Sequence, residues 1–203
     1  MTQHPKYYKI FAKISGACGM EADELSKARQ TWFCQGCGGI RRNDAPIDVR
    51  LAYGPELKES PLSHVIYLGL IWKPFLEIFD SAAVQRELLL GRAFGPDGSV
   101  LENWLTFHGR HEVIIRGSRE AGYRICDLCG RTVYFAMGKR FLYPAPPADV
   151  ELLSAGAGCL VLPESAFARL DLAKWRKKVY IEPVAVPDTP LDGLVLPAPS
   201  PSP

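Results

Sequence analysis

Two Cys-x-x-Cys-Gly stretches constrain this chain more than any other feature: Cys34-Gln35-Gly36-Cys37-Gly38 and Cys126-Asp127-Leu128-Cys129-Gly130. Two residues between cysteines let both sulfurs of one tight turn face a common point, so each stretch offers half of a tetrahedral thiolate set. The glycine after each second cysteine permits the positive φ that a tight knuckle often needs. The two pairs are separated by 88 residues, more than a compact zinc ribbon usually has. A single zinc shared by Cys34, Cys37, Cys126 and Cys129 would pin distant segments together, and metal binding would be coupled to folding. Four thiolates fill the coordination shell, so the expected zinc is structural and not catalytic. Two buried thiol pairs without metal, redox-active pairs and an iron–sulfur cluster are the competing readings. A thioredoxin-like site wants its motif at a helix start, whereas the residues after Cys129, Arg131 to Ala136, are β-rich. Cys18, in a Gly-rich turn, and Cys159, in an apolar run, stand apart from both knuckles.

The rest of the sequence reads as α+β, with a mixed or antiparallel sheet, one main helix and a split zinc-ribbon-like site. With 203 residues, 47% of them hydrophobic, the chain can bury one good core, or a core plus a small subdomain. A single domain is expected over residues 1–196, followed by a flexible Pro/Ser-rich tail over 197–203. Strands are expected over 7–14, 47–53, 111–116 and 178–186, the last interrupted by Pro183. Residues 64–70 suit a buried strand or the start of a short helix, and 159–162 a short apolar strand. Extended segments over 122–125 and 131–136 flank the second knuckle. Residues 21–29 permit a helix but are poorly patterned. The spacing of Phe75, Phe79, Ala83 and Leu90 predicts a helix over 74–90, with Pro74 in its first turn and Gly91 as its stop. Gly95-Pro96-Asp97-Gly98-Ser99 is a loop, residues 165–170 a helical turn or two, and residues 144–148 a rigid connector.

Charge gives little direction. The formal net charge is +2, without the basic excess usual in nucleic-acid binders. No apolar stretch approaches the roughly 20 residues that cross a bilayer, and the first residues lack a signal-peptide pattern. A cytoplasmic location, where thiols stay reduced, is the expectation. The basic segment Lys174-Trp175-Arg176-Lys177-Lys178 could contact nucleic acid or an acidic protein partner; the plainer reading is a solvated face with Trp175 turned inward. His108, His111 and Glu112 could hold a metal or shuttle a proton, but they lack the helical His-Glu-x-x-His spacing.

The layout as a whole resembles the double-CxxCG motif proteins, a family first noted in myxobacteria. The resemblance covers roughly residues 7–186. It rests on Tyr7-Tyr8-Lys9-Ile10, then Trp32-Phe33 leading into the first knuckle, then Phe94-Gly95-Pro96, the second knuckle, and a closing section. That section runs from Asp149 through Cys159–Leu162 and Ser165-Ala166-Phe167 to Val179-Tyr180-Ile181-Glu182-Pro183-Val184. Gln35 and Asp127 stand where the family commonly has Pro. Some members are immunity proteins that protect a cell against a polymorphic toxin exchanged between neighbours. The resemblance implies a cytoplasmic, non-enzymatic protein whose partner is a cognate toxin. A nucleic-acid-binding zinc ribbon is the alternative function, and a metal-dependent enzyme using the two histidines is a further one.

Overall fold

The computed structural model describes residues 7–12, 18–37, 45–55, 60–65, 68–111, 113–116, 123–130, 132–134, 141–143, 146, 149–155, 158–184 and 186. Gly38, Glu112, most of the 144–148 connector and the 197–203 tail lie outside the described residues. In chain order the first elements are β1 (Tyr7–Ala12), α1 (Ala22–Thr31), β2 (Val49–Arg50), β3 (Leu62–Val65), β4 (Leu68–Trp72), α2 (Lys73–Leu76) and α3 (Ser81–Glu87). They are followed by β5 (Leu88–Phe94), β6 (Val100–Gly109), β7 (Ile114–Arg116), β8 (Tyr123–Ile125), β9 (Thr132–Tyr134) and β10 (Phe141–Tyr143). The last are β11 (Leu153–Ser154), β12 (Leu160–Pro163), α4 (Glu164–Phe167), α5 (Leu172–Trp175) and β13 (Val179–Val184). The class is α+β, as expected.

One sheet has five strands in the order β2-β5-β6-β4-β3. Only β2–β5 is parallel, so the sheet is mixed. A second sheet, β11-β12-β1-β13, is antiparallel throughout. Two short pairs, β7–β10 and β8–β9, complete the strands among the described residues. Strand β4 shows why Leu68 to Trp72 reads as continuously apolar. Leu68 and Leu70 enter one core with Val49, Leu51 and Trp104, while Ile71 enters another with Leu62, Phe75 and Phe107. A strand buried on both faces has no polar side to show. The second of these cores joins the two sheets, because Ile10, Leu160, Leu162 and Val179 of the four-stranded sheet share it. Trp175 sits in the same core, its ring 4.9 Å from that of Phe75 and nearly perpendicular to it.

The helix expected over 74–90 is corrected. That stretch forms two short helices, α2 and α3, and then runs straight into β5. Asp80 breaks it: its side chain accepts a hydrogen bond from Ala83 N at 3.1 Å, capping a new helix. Leu88, Leu89 and Leu90 then pair with Gly109, His108 and Phe107 of β6. Gly91 is therefore no helix stop but a strand residue. A Cβ there would lie 2.3 Å from the Ile47 carbonyl oxygen and 2.5 Å from Thr106 Oγ1, so only glycine lets the neighbouring backbone come so close. The longest helix among the described residues is α1, with ten residues, in the segment whose patterning was weak. Ala28 is its one buried residue, which explains that weakness.

The loop between β5 and β6 is as expected. Gly98 N donates to Gly95 O at 3.0 Å, with Pro96 and Asp97 in the middle of the turn and Gly98 at φ +83°. Pro183 lies within β13, opposite Tyr8 of β1. Among the described residues β13 is an edge strand, where a missing N–H is tolerated.

Candidate metal centre

The first knuckle grows out of the end of α1. A helix leaves its last carbonyls without intrahelical donors. Here Trp32 N and Phe33 N both donate to Ala28 O, at 2.9 and 3.1 Å, and the Gln35 side-chain amide donates to Arg29 O. Phe33 is buried and Trp32 packs against the core on one face of the five-stranded sheet. The knuckle is thus tied both to the helix and to the sheet.

The second knuckle is the turn of the β8–β9 hairpin. Gly130 N donates to Cys126 O at 2.8 Å, and Gly130 adopts φ +68°, the conformation for which its glycine was singled out. Ile125 and Leu128, beside the cysteines, are 57% and 70% exposed.

The structure brings Cys34, Cys37, Cys126 and Cys129 together, with all four sulfurs within 4.8 Å of one another. Cys34 Sγ lies 3.6 Å from Cys126 Sγ, and Cys37 Sγ lies 3.7 Å from Cys129 Sγ. Four thiolates at about 2.3 Å from a tetrahedral zinc would be separated by about 3.8 Å. The two cross-knuckle distances fit that figure and are far longer than the roughly 2.05 Å of a disulfide. The donor set and spacing therefore suit a metal ion. The N–H groups of Cys37 and Gly36 both point to the Cys34 sulfur. They lower its thiol to about 6, against the upward push of burial, with smaller help from the Cys129 and Cys126 sulfurs. The site favours the thiolate that binds metal.

Protein-family models and curated proteins give no match to this chain.

Gly36 is the site residue that sequence reasoning missed. A Cβ there would stand 2.9 Å from Cys126 Sγ and 3.3 Å from Leu128 Cδ1. The absence of a side chain at this position lets the first knuckle come this close to the second without displacing Cys126 or Leu128. The signal was visible as a second glycine inside the first motif, between the cysteines.

The remaining candidates lie elsewhere. Cys18 is buried in the core that also holds Trp104, its sulfur 3.6 Å from Ser63 Oγ. Burial pushes its thiol up, against the Ser63 hydrogen bond. Cys159 is half-buried and immediately precedes β12. His108 is buried on β6, while His111 is exposed beyond that strand's end. Among the described residues, no group of three or more potential metal ligands other than the four cysteines converges. Lys174, Arg176 and Lys177 are exposed, and Trp175 is turned into the core, 2% exposed. No helix among the described residues is long and apolar enough to cross a membrane.

Proposed function

We propose that this chain is a non-enzymatic, zinc-stabilised immunity protein, which binds and neutralises a cognate toxin in the cytoplasm. The observation that carries the reading is the convergence of four cysteine sulfurs from segments 92 positions apart. Soft thiolates select zinc over hard cations such as magnesium and calcium. Four of them leave no position for a substrate, so the metal acts as a clamp and not as a Lewis acid. A clamp that holds a surface in shape suits a binding protein, and the likeness to double-CxxCG proteins supplies the class of partner.

The buried Trp175 favours this reading over nucleic-acid binding, because an inward-facing ring offers no platform for base stacking. The basic residues around it remain suited to an acidic protein surface.

Two measurements test the proposal. Purified protein should carry about one zinc per chain, and a Cys34→Ser/Cys37→Ser double variant should lose the metal together with stability. Wild-type protein that is fully folded without metal contradicts the clamp. For the partner, the product of the adjacent gene is expressed with and without this chain. Protection and a stoichiometric complex are expected; equal killing in both cases removes the immunity reading.

A further inference from the structure

The four sulfurs are not shielded equally. Cys34 and Cys126 are buried, whereas Cys37 is half-buried and Cys129 is exposed. The two outer residues belong to different knuckles, and their sulfurs are 3.7 Å apart. A disulfide would require a closure of about 1.7 Å, to about 2.05 Å. Both turns reach the surface, where such a shift disturbs little packing. The inner pair is buried, and its Cys126 sulfur is crowded by Gly36, where an added Cβ would lie 2.9 Å from it.

We propose that Cys37 and Cys129 are a redox-modification site, which a peroxide converts to a disulfide between the two knuckles. The inference rests on the metal reading above and assigns a regulation to that same centre. The chemistry balances with hydrogen peroxide as the oxidant. The Cys129 thiolate attacks one peroxide oxygen; the S–O bond forms as the O–O bond breaks, giving a sulfenic acid and one hydroxide. The Cys37 thiolate then attacks that sulfur; the S–S bond forms, the S–O bond breaks and a second hydroxide leaves. The two sulfurs lose two electrons in all, and the peroxide gains them. Only Cys34 and Cys126 remain as thiolates, half of a tetrahedral shell, and zinc is released.

The product differs from ordinary oxidative damage to a zinc site. A bond within either knuckle would leave the early chain and the β8–β9 hairpin unconnected once metal departs. A Cys37–Cys129 bond keeps them joined, so a covalent link replaces the coordinate one.

The experiment uses the wild-type chain, first assayed for bound zinc and then treated with hydrogen peroxide beside a chromophoric zinc chelator. Disulfides are located by peptide mapping without reduction. One zinc released per disulfide, with that disulfide at Cys37–Cys129 and both changes reversed by thiol reductant plus zinc, is the expected result. Zinc-loaded protein that keeps its metal, or whose disulfide lies within a knuckle or between Cys34 and Cys126, overturns this proposal alone. Protein that carries no zinc before oxidation overturns the metal reading and this proposal together.

Discussion

Glu87 shows how much a single buried charge can organise. Its carboxylate is fully buried at the end of α3. One oxygen accepts from the Arg86 guanidinium, and the other from the backbone N–H groups of Glu151 and Leu152. Its own carbonyl accepts from Arg110 N at 2.9 Å. One residue thereby holds three separate stretches of chain. Replacing it by Ala leaves two backbone donors without their acceptor, a loss of about 2–3 kcal/mol for hydrogen bonds to a charged group. Urea unfolding of Glu87→Ala should show that loss, whereas Arg86→Ala, at an exposed side chain, should cost well under half as much. Equal losses in the two variants would place the stabilisation in the ion pair instead. Asp48 is a milder case. Burial pushes its carboxyl up, but the hydrogen bonds and charge of Arg92 outweigh this and hold it below its usual value. A lowered folded-state value means stability that is present above about pH 4, the ordinary carboxyl range, and lost as pH falls through the folded value. Both side chains are substantially exposed, so the contribution is at most about 1 kcal/mol. Wild type and Asp48→Asn should differ by that little near neutrality and converge in acid. A difference that persists below the carboxyl range would exclude the titration.

At the scale of elements, the two knuckle glycines act by different physics. Gly130 has open space around it but a positive φ, so Gly130→Ala should cost about 1–2 kcal/mol of backbone strain. Gly36 lies against Cys126 Sγ. Gly36→Val should separate the knuckles and weaken metal retention against a competing chelator, with both sheets intact. Unchanged retention would show that the turn can yield. The two cysteine pairs that converge were legible in the sequence because the spacing within each pair is a local property of a turn. The helix expected over 74–90 was not, because Leu88-Leu89-Leu90 suits a helix face or a buried strand equally. What decides is pairing with β6, which is not written in that segment. Gly91 is the same lesson: its meaning comes from the Ile47 carbonyl and Thr106, distant in sequence. The ten-residue strand β6 passed unnoticed for a related reason. Its burial is confined mostly to Trp104 and the Thr106–His108 stretch, leaving no even alternation to read.

For the whole molecule, the apolar cores and the four-cysteine cluster divide the work. The sheets share a core of aromatic and aliphatic side chains that contains none of the four cysteines. The first knuckle and the two residues leading into it, in contrast, supply donors that finish α1: Trp32 N, Phe33 N and the Gln35 amide. Stripping metal with a chelator should therefore raise amide hydrogen exchange in α1 and the β8–β9 hairpin first, with β4, β5 and β6 still protected. Simultaneous loss of protection everywhere would show that metal supports the entire fold. The order of strands has another consequence. The five-stranded sheet draws its strands from residues 49–109, one contiguous stretch. The other sheet places β1 between β12 and β13, so Tyr7 meets Pro163 on one side and Val184 on the other. At about 5–20 residues per second of synthesis, β1 emerges from the ribosome on the order of ten seconds or more before either neighbour exists. During translation the first strand must wait with both edges bare, and that sheet is completed only when synthesis has reached β13.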